Sequence, residues 1–325
     1  MEEEFNYQNM ISQAKEECAK MTVMIHEKYP NVEFEVLEED SLDNFTISDI
    51  AEFYNINWLG DRDYMHIPDA KQISENLRKH IVIVAKEKGK TGKNAILAIS
   101  TVKHHTNTQE NMDPCYPKEG PYFELTGVLA NNENRNRKLL GFGRMIYQIG
   151  IASTKQYNEK WSGGGPAIAV IDCTNAPSFN ALRKAAIEEQ SKSGIIGFYT
   201  VYDRLKRRMT EAPTFVCKIF NEDDEIEGDI NYDENQKSSM YYRYNAKTQY
   251  ASSNTSKKLA KILKETIWKK GTKNITEDAD GIITTYFEVE NPIINFEITN
   301  VGKANKRKRQ KANTYCNKWK RGRLL

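Results

Sequence analysis

Apolar residues near the N-terminus recur at helical spacing. Met10, Ile11, Ala14, Cys18, Met21 and Ile25 fall on one face of a helix predicted over residues 5–28. Around residues 33–38 the order changes to strict alternation, Val-Glu-Phe-Glu-Val-Leu, the pattern of a half-buried strand. Ser48-Asp49 is the expected cap of a short helix from Ile50 to Tyr54, and a second helix is expected over 69–80. Apolar, β-branched runs at His80–Ala85 and Ala95–Val102 flank a Gly/Lys turn at Lys86–Lys93 and read as a hairpin. A polar excursion with Pro114 and Pro117 then leads to a strand at 121–130. A helix starts at about Gly141, with Phe142, Met145, Ile146 and Ile149 on one face. Gly163-Gly164-Gly165-Pro166 breaks the chain before the continuous apolar run 167–172, a buried strand. A helix from about Pro177 and strands at Ile195–Tyr202 and Pro213–Phe220 follow. The order, β-αα-β-β-β-α-β-α-β-β behind a leading helix, predicts an α/β (α+β) protein with a mixed central sheet flanked by helices.

Beyond residue 220 the pattern changes. Eight acids crowd into 222–234 and a polar run follows to Ser256, so 221–255 reads as a linker. Residues 256–270 predict a basic amphipathic helix. Strands are expected at Ile282–Glu290 and Ile293–Val301, parted by Asn291-Pro292. The expected organisation is an N-terminal helix (1–30), a main domain (31–220), the linker and a small basic C-terminal domain or tail (256–325).

Composition narrows the classes. With 39% hydrophobic and 28% charged residues in 325, the chain can build a sizeable core. Mean hydropathy is −0.71 and no apolar run is long enough for a membrane span. The first thirty residues lack a basic start followed by an apolar block, so no secretory signal is expected. Five scattered cysteines without CxxC spacing, and five histidines without clustering, offer neither a zinc site nor a disulfide framework. A reducing, cytoplasmic setting is the expectation, or a nuclear one in a nucleated cell. The net charge of +2 is unevenly spread: residues 301–325 hold ten Lys/Arg and no acid, leaving residues 1–300 at −8. The block from Lys303 to Arg323 could bind nucleic-acid phosphates, with Tyr315 and Trp319 stacking on bases, or serve as a solubilising tail or dock on the acidic stretch.

The segment carrying chemistry is Arg135-Asn136-Arg137-Lys138-Leu139-Leu140-Gly141-Phe142-Gly143-Arg144, between a strand and a helix. Its glycines allow close backbone approach, and the first-turn N–H groups, with the helix dipole, make an anion site suited to a pyrophosphate. By contrast, Gly89-Lys90-Thr91-Gly92-Lys93 lacks the spacing and the hydroxyl of a nucleotide phosphate loop and reads as a solvated turn.

The match Lys138-x-x-Gly141-x-Gly143 resembles the acyl-CoA pyrophosphate loop of the GNAT (Gcn5-related N-acetyltransferase) superfamily, where the first position is usually Arg or Gln. Downstream, Asn175-Ala-Pro-Ser178, then Leu182-Arg-Lys184 and Gly197-Phe198, is similar to that superfamily's Asn-x-x-Ser…Leu-x-Lys…Gly-Phe segment. The gap from Lys184 to Gly197 is longer than usual, so the helix there is expected to be extended or followed by a loop. The resemblance covers about residues 31–220. It implies a mostly antiparallel sheet in which the strand at 121–130 splays from that at 167–172, with acetyl-CoA as cosubstrate and an amine acceptor. Backbone groups of Val128, Leu129 and Ala130 would pair with the pantetheine arm. Arg137, Lys138, Leu139, Leu140, Gly141, Phe142, Gly143 and Arg144 would cradle the phosphates, with Asn175 nearby.

It further implies Glu124 as the base that deprotonates the amine, unless it is a plain exposed strand glutamate. His104 or His105 is the other candidate base; being adjacent, the two must face opposite sides. Ser178 would be the acid for the departing thiolate, unless it only supports the helix start. The superfamily's frequent tyrosine is Leu182 here. Tyr199, Tyr202 and Cys173 are weaker candidates. A different class stays open, a non-catalytic nucleic-acid-binding protein on a GNAT scaffold.

Overall fold

The computed structural model describes residues 5–38, 42, 46–57, 68–106, 120–131, 134, 140–172, 175–203, 208–209, 214–224, 241–242, 272–277, 281–294 and 299–300. These form α1 (Tyr7–Ile25), β1 (Val32–Leu37), α2 (Ile47–Asn57), α3 (Ala70–Lys79), β2 (Ile81–Glu87), β3 (Ile96–His105), β4 (Tyr122–Ala130), α4 (Phe142–Lys160), β5 (Ala167–Asp172), α5 (Ala176–Glu188) and β6 (Ser191–Asp203). Then come β7 (Arg208–Met209), β8 (Thr214–Asn221), β9 (Tyr241–Tyr242), β10 (Thr272–Glu277), β11 (Ile282–Ile294) and β12 (Thr299–Asn300). The main sheet runs β1-β2-β3-β4-β5-β8-β6-β11-β10, with β7 beside β6. Every pair along that path is antiparallel except β4–β5, which is parallel.

The helices begin where side chains can satisfy their unpaired N–H groups. Asn6 caps α1, and Asp69 with Gln72 forms a reciprocal capping box on α3. On α2 the expected Ser48-Asp49 cap is corrected: the helix starts earlier, because Thr46 and Asp49 bond each other's backbone N–H. Alternation along the strands divides the core in two. Met10 and Met21 of α1, Ile146 and Ile149 of α4 and Leu182 of α5 pack with Ile83, Phe123, Leu125 and Phe215 on one face. Ile50 and Phe53 of α2 and Leu77 of α3 cover Val82, Val84 and Ile96 on the other.

Three further expectations are revised. The long gap after Lys184 is neither extra helix nor loop. α5 ends at Glu188, Gln190 takes a positive φ of 51°, and β6 starts at Ser191. Asn291-Pro292 does not separate two strands but sits inside β11, where the register with β6 shifts between Glu288 and Ile293. A bulge removes the need for the N–H that proline lacks. Finally, β10 and β11, taken from the region expected to form a small basic unit, extend the main sheet beyond β6. The helix expected at 256–270, the tail from Lys303 and most of the linker lie outside the described residues.

The turn Gly163–Pro166 sets where β5 meets β4. Asn158 donates to the Gly165 carbonyl at 2.8 Å, and Phe123 N–H donates to Pro166 O at 2.9 Å. Gly165 has φ +82°, and a Cβ there would lie 1.8 Å from the Pro121 carbonyl oxygen. Gly165→Ala should therefore cost about 3 kcal/mol or more, read as a lower urea midpoint, whereas Gly89→Ala, in open space, should cost about 1 kcal/mol through its positive φ alone.

Candidate active site

β4 is where the sheet opens. Its parallel pairing with β5 comprises Phe123↔Ala167 and Glu124↔Ile168, and the strands part from Leu125 onward. On its other edge β4 continues to pair with β3 as far as Ala130↔Ala98. Between Thr101↔Thr126 and Ile99↔Leu129, one β3 residue opposes two of β4, a bulge at Gly127-Val128. Gly127 supplies the positive φ of 65°, and its bare Cα faces the buried Tyr54 hydroxyl, which bonds Thr101. Val128, Leu129 and Ala130 follow on the stretch of β4 beyond its pairing with β5.

The N-terminus of α4 stands beside this opening. Gly141 is its N-cap with φ 95°, a conformation strained for any side chain. A Cβ on Gly143 would approach the Ala130 and Val128 side chains at 4.0 Å, so the first turn and the bulge are neighbours. Leu140 is exposed, its N–H 3.3 Å from the Tyr29 hydroxyl, while Phe142 packs into the core against Tyr29 and Phe34. Arg144 does not project freely from the turn; it pairs with Glu188 of α5 at 2.8 Å. Arg137, Lys138 and Leu139 lie outside the described residues. Of this segment Gly143 lies beside β4, while Phe142 turns to the core and Arg144 to α5.

Glu124 is the last β4 residue before the strands part. It is 8% exposed and, with Tyr122, lies on the strand face opposite Phe123 and Leu125. Its Oε2 lies 3.0 Å from Nε2 of His105, a partner not foreseen in the sequence. The His105 ring stacks on Tyr122 with centroids 4.7 Å apart and planes 11° from parallel. Its adjacent neighbour His104 faces the other way, as alternation requires. That ring stacks on Phe5 at 3.7 Å and bonds the Gly163 carbonyl at 2.8 Å. His104 is therefore a structural clamp between the N-terminal segment, β3 and the turn before β5. A crevice beside it, lined by Phe5, Tyr7, Met10 and His80 among others, has a volume of about 10 Å³, room for one water and no substrate.

Across the sheet, Asn175 caps α5 by accepting from Ser178 N–H at 3.2 Å. The Ser178 hydroxyl is thereby spared a capping duty and lies 2.8 Å from the hydroxyl of Tyr147 on α4. Burial pushes the Tyr147 hydroxyl well above the ordinary tyrosine range, with the Ser178 bond acting against it. The signal for Tyr147 was present in the sequence: a tyrosine on an apolar helix face must find a partner for its hydroxyl. Cys18 and Cys217 are buried free thiols, pushed up by burial and unsuited to attack. Cys173 and the side chains of Tyr199 and Tyr202 lie outside what is described. Among the described residues no group of three or more His, Cys, Asp or Glu side chains could hold a metal ion, and no helix is long and apolar enough to cross a membrane.

A leading helix, two helices between the first strands, a bulged fourth strand splayed from a parallel fifth, and a glycine-capped helix between them make the architecture GNAT-like. No family model matches the sequence, and no curated protein does. Among solved structures the chain is similar to NAA60 of Arabidopsis thaliana in complex with acetyl-CoA, with a TM-score of 0.40, 8% identity, and 58% of this chain and 98% of that one covered. It is also similar to an N-acetyltransferase of Staphylococcus aureus Mu50, with a TM-score of 0.36, 13% identity and 59% and 99% covered. A third is the diaminobutyrate acetyltransferase EctA of Paenibacillus lautus with its substrate and coenzyme A, with a TM-score of 0.35, 13% identity and 60% and 98% covered. These scores all lie below 0.5, and the GNAT-like assignment rests on this chain's own topology.

The clamp makes stability depend on pH. Burial is the main cause holding His80 down, to about 4, and it lowers His104 in the same direction. Both side chains are therefore favoured neutral in the fold. An unfolded histidine titrates near 6.5, so below that pH the unfolded chain binds more protons than the native one. The urea midpoint should be highest above pH 6.5 and fall as pH drops towards 4. A His104→Gln variant, less stable at pH 7.5, should lose less on going from pH 7.5 to 5; an equal loss would show that His104 does not contribute.

Proposed function

We propose that this chain is an acyl-CoA-dependent N-acyltransferase, transferring acetyl from acetyl-CoA to an amine in a ternary complex. The observation that supports it most is the pairing of β4 with β5 ending at Glu124↔Ile168, with the glycine-capped start of α4 beside the resulting opening. An extended pantetheine would lie in the opening and bond the backbone of Val128, Leu129 and Ala130 as an added strand does. The first-turn N–H groups of α4 would take the pyrophosphate. Arg144 is held by Glu188, so backbone dipoles would act there together with Arg137 and Lys138 of the preceding segment.

In the reaction the amine lone pair attacks the thioester carbon. A C–N bond forms, the C–S bond breaks, and the nitrogen, neutral when it attacks, sheds one proton. Glu124, at the point where the strands part, is the base that receives it and passes it to solvent. The departing thiolate is protonated through the Ser178 hydroxyl, which solvent reprotonates; Tyr147 holds that hydroxyl in place. The acceptor is an amine whose remaining structure these residues do not specify.

Thermal unfolding of the full chain with acetyl-CoA tests the cofactor. At about 100 times Kd the ligand should add roughly 2.7 kcal/mol of apparent stability, a shift of a few degrees. Gly143→Asp places a carboxylate in the first turn at a position where a Cβ makes only ordinary contacts, so the variant should fold and lose the shift. No shift with millimolar acetyl-CoA or CoA, in a chain that unfolds cooperatively, would overturn the reading.

A further inference from the structure

The described residues hold three features that the proposed reaction does not use: the Phe5–His104 clamp, the buried thiols and the His105–Glu124 contact. The clamp is structural and the thiols are inert, whereas the contact touches the reacting carboxylate. Resting on the acyltransfer reading, we propose that His105 is a positioning residue for Glu124, with Tyr122 as the platform that orients its ring.

The geometry supports this from both strands. β3 and β4 pair with Lys103 opposite Glu124 and His105 opposite Tyr122. A cross-strand pair would favour Lys103 as the partner of Glu124. The carboxylate instead bonds the diagonal neighbour, His105, at 3.0 Å. The ring stacked on Tyr122 cannot follow the carboxylate if it swings, so the nitrogen fixes the direction from which Oε2 is held. The end of β3 is itself fixed from the opposite face, where His104 lies between Phe5 and Phe123. Exposure ranks the pair as a support and its load: the Glu124 side chain is 11% exposed and that of His105 35%, so the imidazole screens the carboxylate on its outer side.

The bond has an electrostatic consequence as well. A donor on a carboxylate favours the ionised form, the form a base needs. Among the described residues, Lys103 lies opposite Glu124 on β3, and both Glu124 and His105 act on His80 at the start of β2, as do Lys103 and Lys79.

Two substitutions separate donor from bulk. His105→Leu removes the donor and keeps an apolar body over Tyr122, while His105→Gln restores an N–H near the position of Nε2. With the full chain, acetyl-CoA and a mixed panel of free-amine peptides and small diamines as probe, thiol release reads turnover. His105→Leu should lower kcat about tenfold, leave KM for acetyl-CoA unchanged, and move the acidic limb of the rate profile to higher pH. His105→Gln should recover most of the rate. Equal behaviour of the two variants, or an unmoved acidic limb with Leu, would overturn the proposal.

Histidine C2-proton NMR gives a readout free of turnover. On Glu124→Gln, the His105 C2-proton signal should move at fixed pH, because the group against Nε2 changes from a carboxylate to an amide. An unmoved signal overturns the pair itself. Absence of thiol release from the unaltered chain, with the signal change intact, counts instead against the acyltransfer reading and leaves His105 a structural partner of Glu124.

Discussion

Most of what this chain can do depends on one rung of a parallel ladder. β4 and β5 are the only parallel neighbours in the main sheet among the described residues, and they stay paired for two residues. A parallel pair needs a crossover, here α4, and the crossover helix must start near the C-terminal end of the strand it leaves. Ending the pairing at Glu124 therefore does two things at once. It leaves the far half of β4 without a paired strand on that edge among the described residues, and it puts the first turn of α4 beside the gap. The turn at Gly163–Pro166 and the bulge at Gly127-Val128 are the local devices that hold the two strands together at one end and apart at the other.

Strand alternation then decides which groups share that gap. The end of β3 carries two adjacent histidines, and the pleat sends them to opposite faces. One becomes part of the packing between α1 and the sheet; the other meets the carboxylate at the parting point. Neighbours in sequence acquire unrelated roles because a single peptide unit separates two sides of the sheet. The same rule places Phe123 and Leu125 in the core with α4 while Tyr122 and Glu124 face away from it.

Periodicity made the main elements legible from α1 to β8, with errors of a few residues at their ends. Motif spacing drew attention to Gly141, Gly143, Asn175 and Ser178, and the resemblance to the GNAT superfamily to Glu124 on the fourth strand. The failures have physical causes. Ser48-Asp49 reads as a cap in isolation, and only the reciprocal bonds between Thr46 and Asp49 in the fold move the helix start ahead of it. Proline in Asn291-Pro292 signals a break in isolation, yet a bulge absorbs it within β11. That β10 and β11 would join the edge of the main sheet could not be read, because a strand's own pattern does not name its neighbour. The bonds of Glu124 to His105 and of Ser178 to Tyr147 were hidden for the same reason: each joins residues 19 and 31 positions apart through the tertiary fold.

Charge adds a constraint on the proposed reading. Residues 1–300 carry a net −8, and an acyl-CoA brings several phosphate charges of the same sign. At physiological salt the Debye length is about 8 Å, so distant acids matter little and the first turn of α4 decides. Within that turn Arg144 is engaged by Glu188. The backbone N–H groups aligned by the helix attract an anion without a counter-charge and impose a directional fit, beside the charge of Arg135, Arg137 and Lys138 in the preceding segment. The positive φ at Gly141 matters for that fit, because a first turn entered from another backbone direction would aim those N–H groups elsewhere.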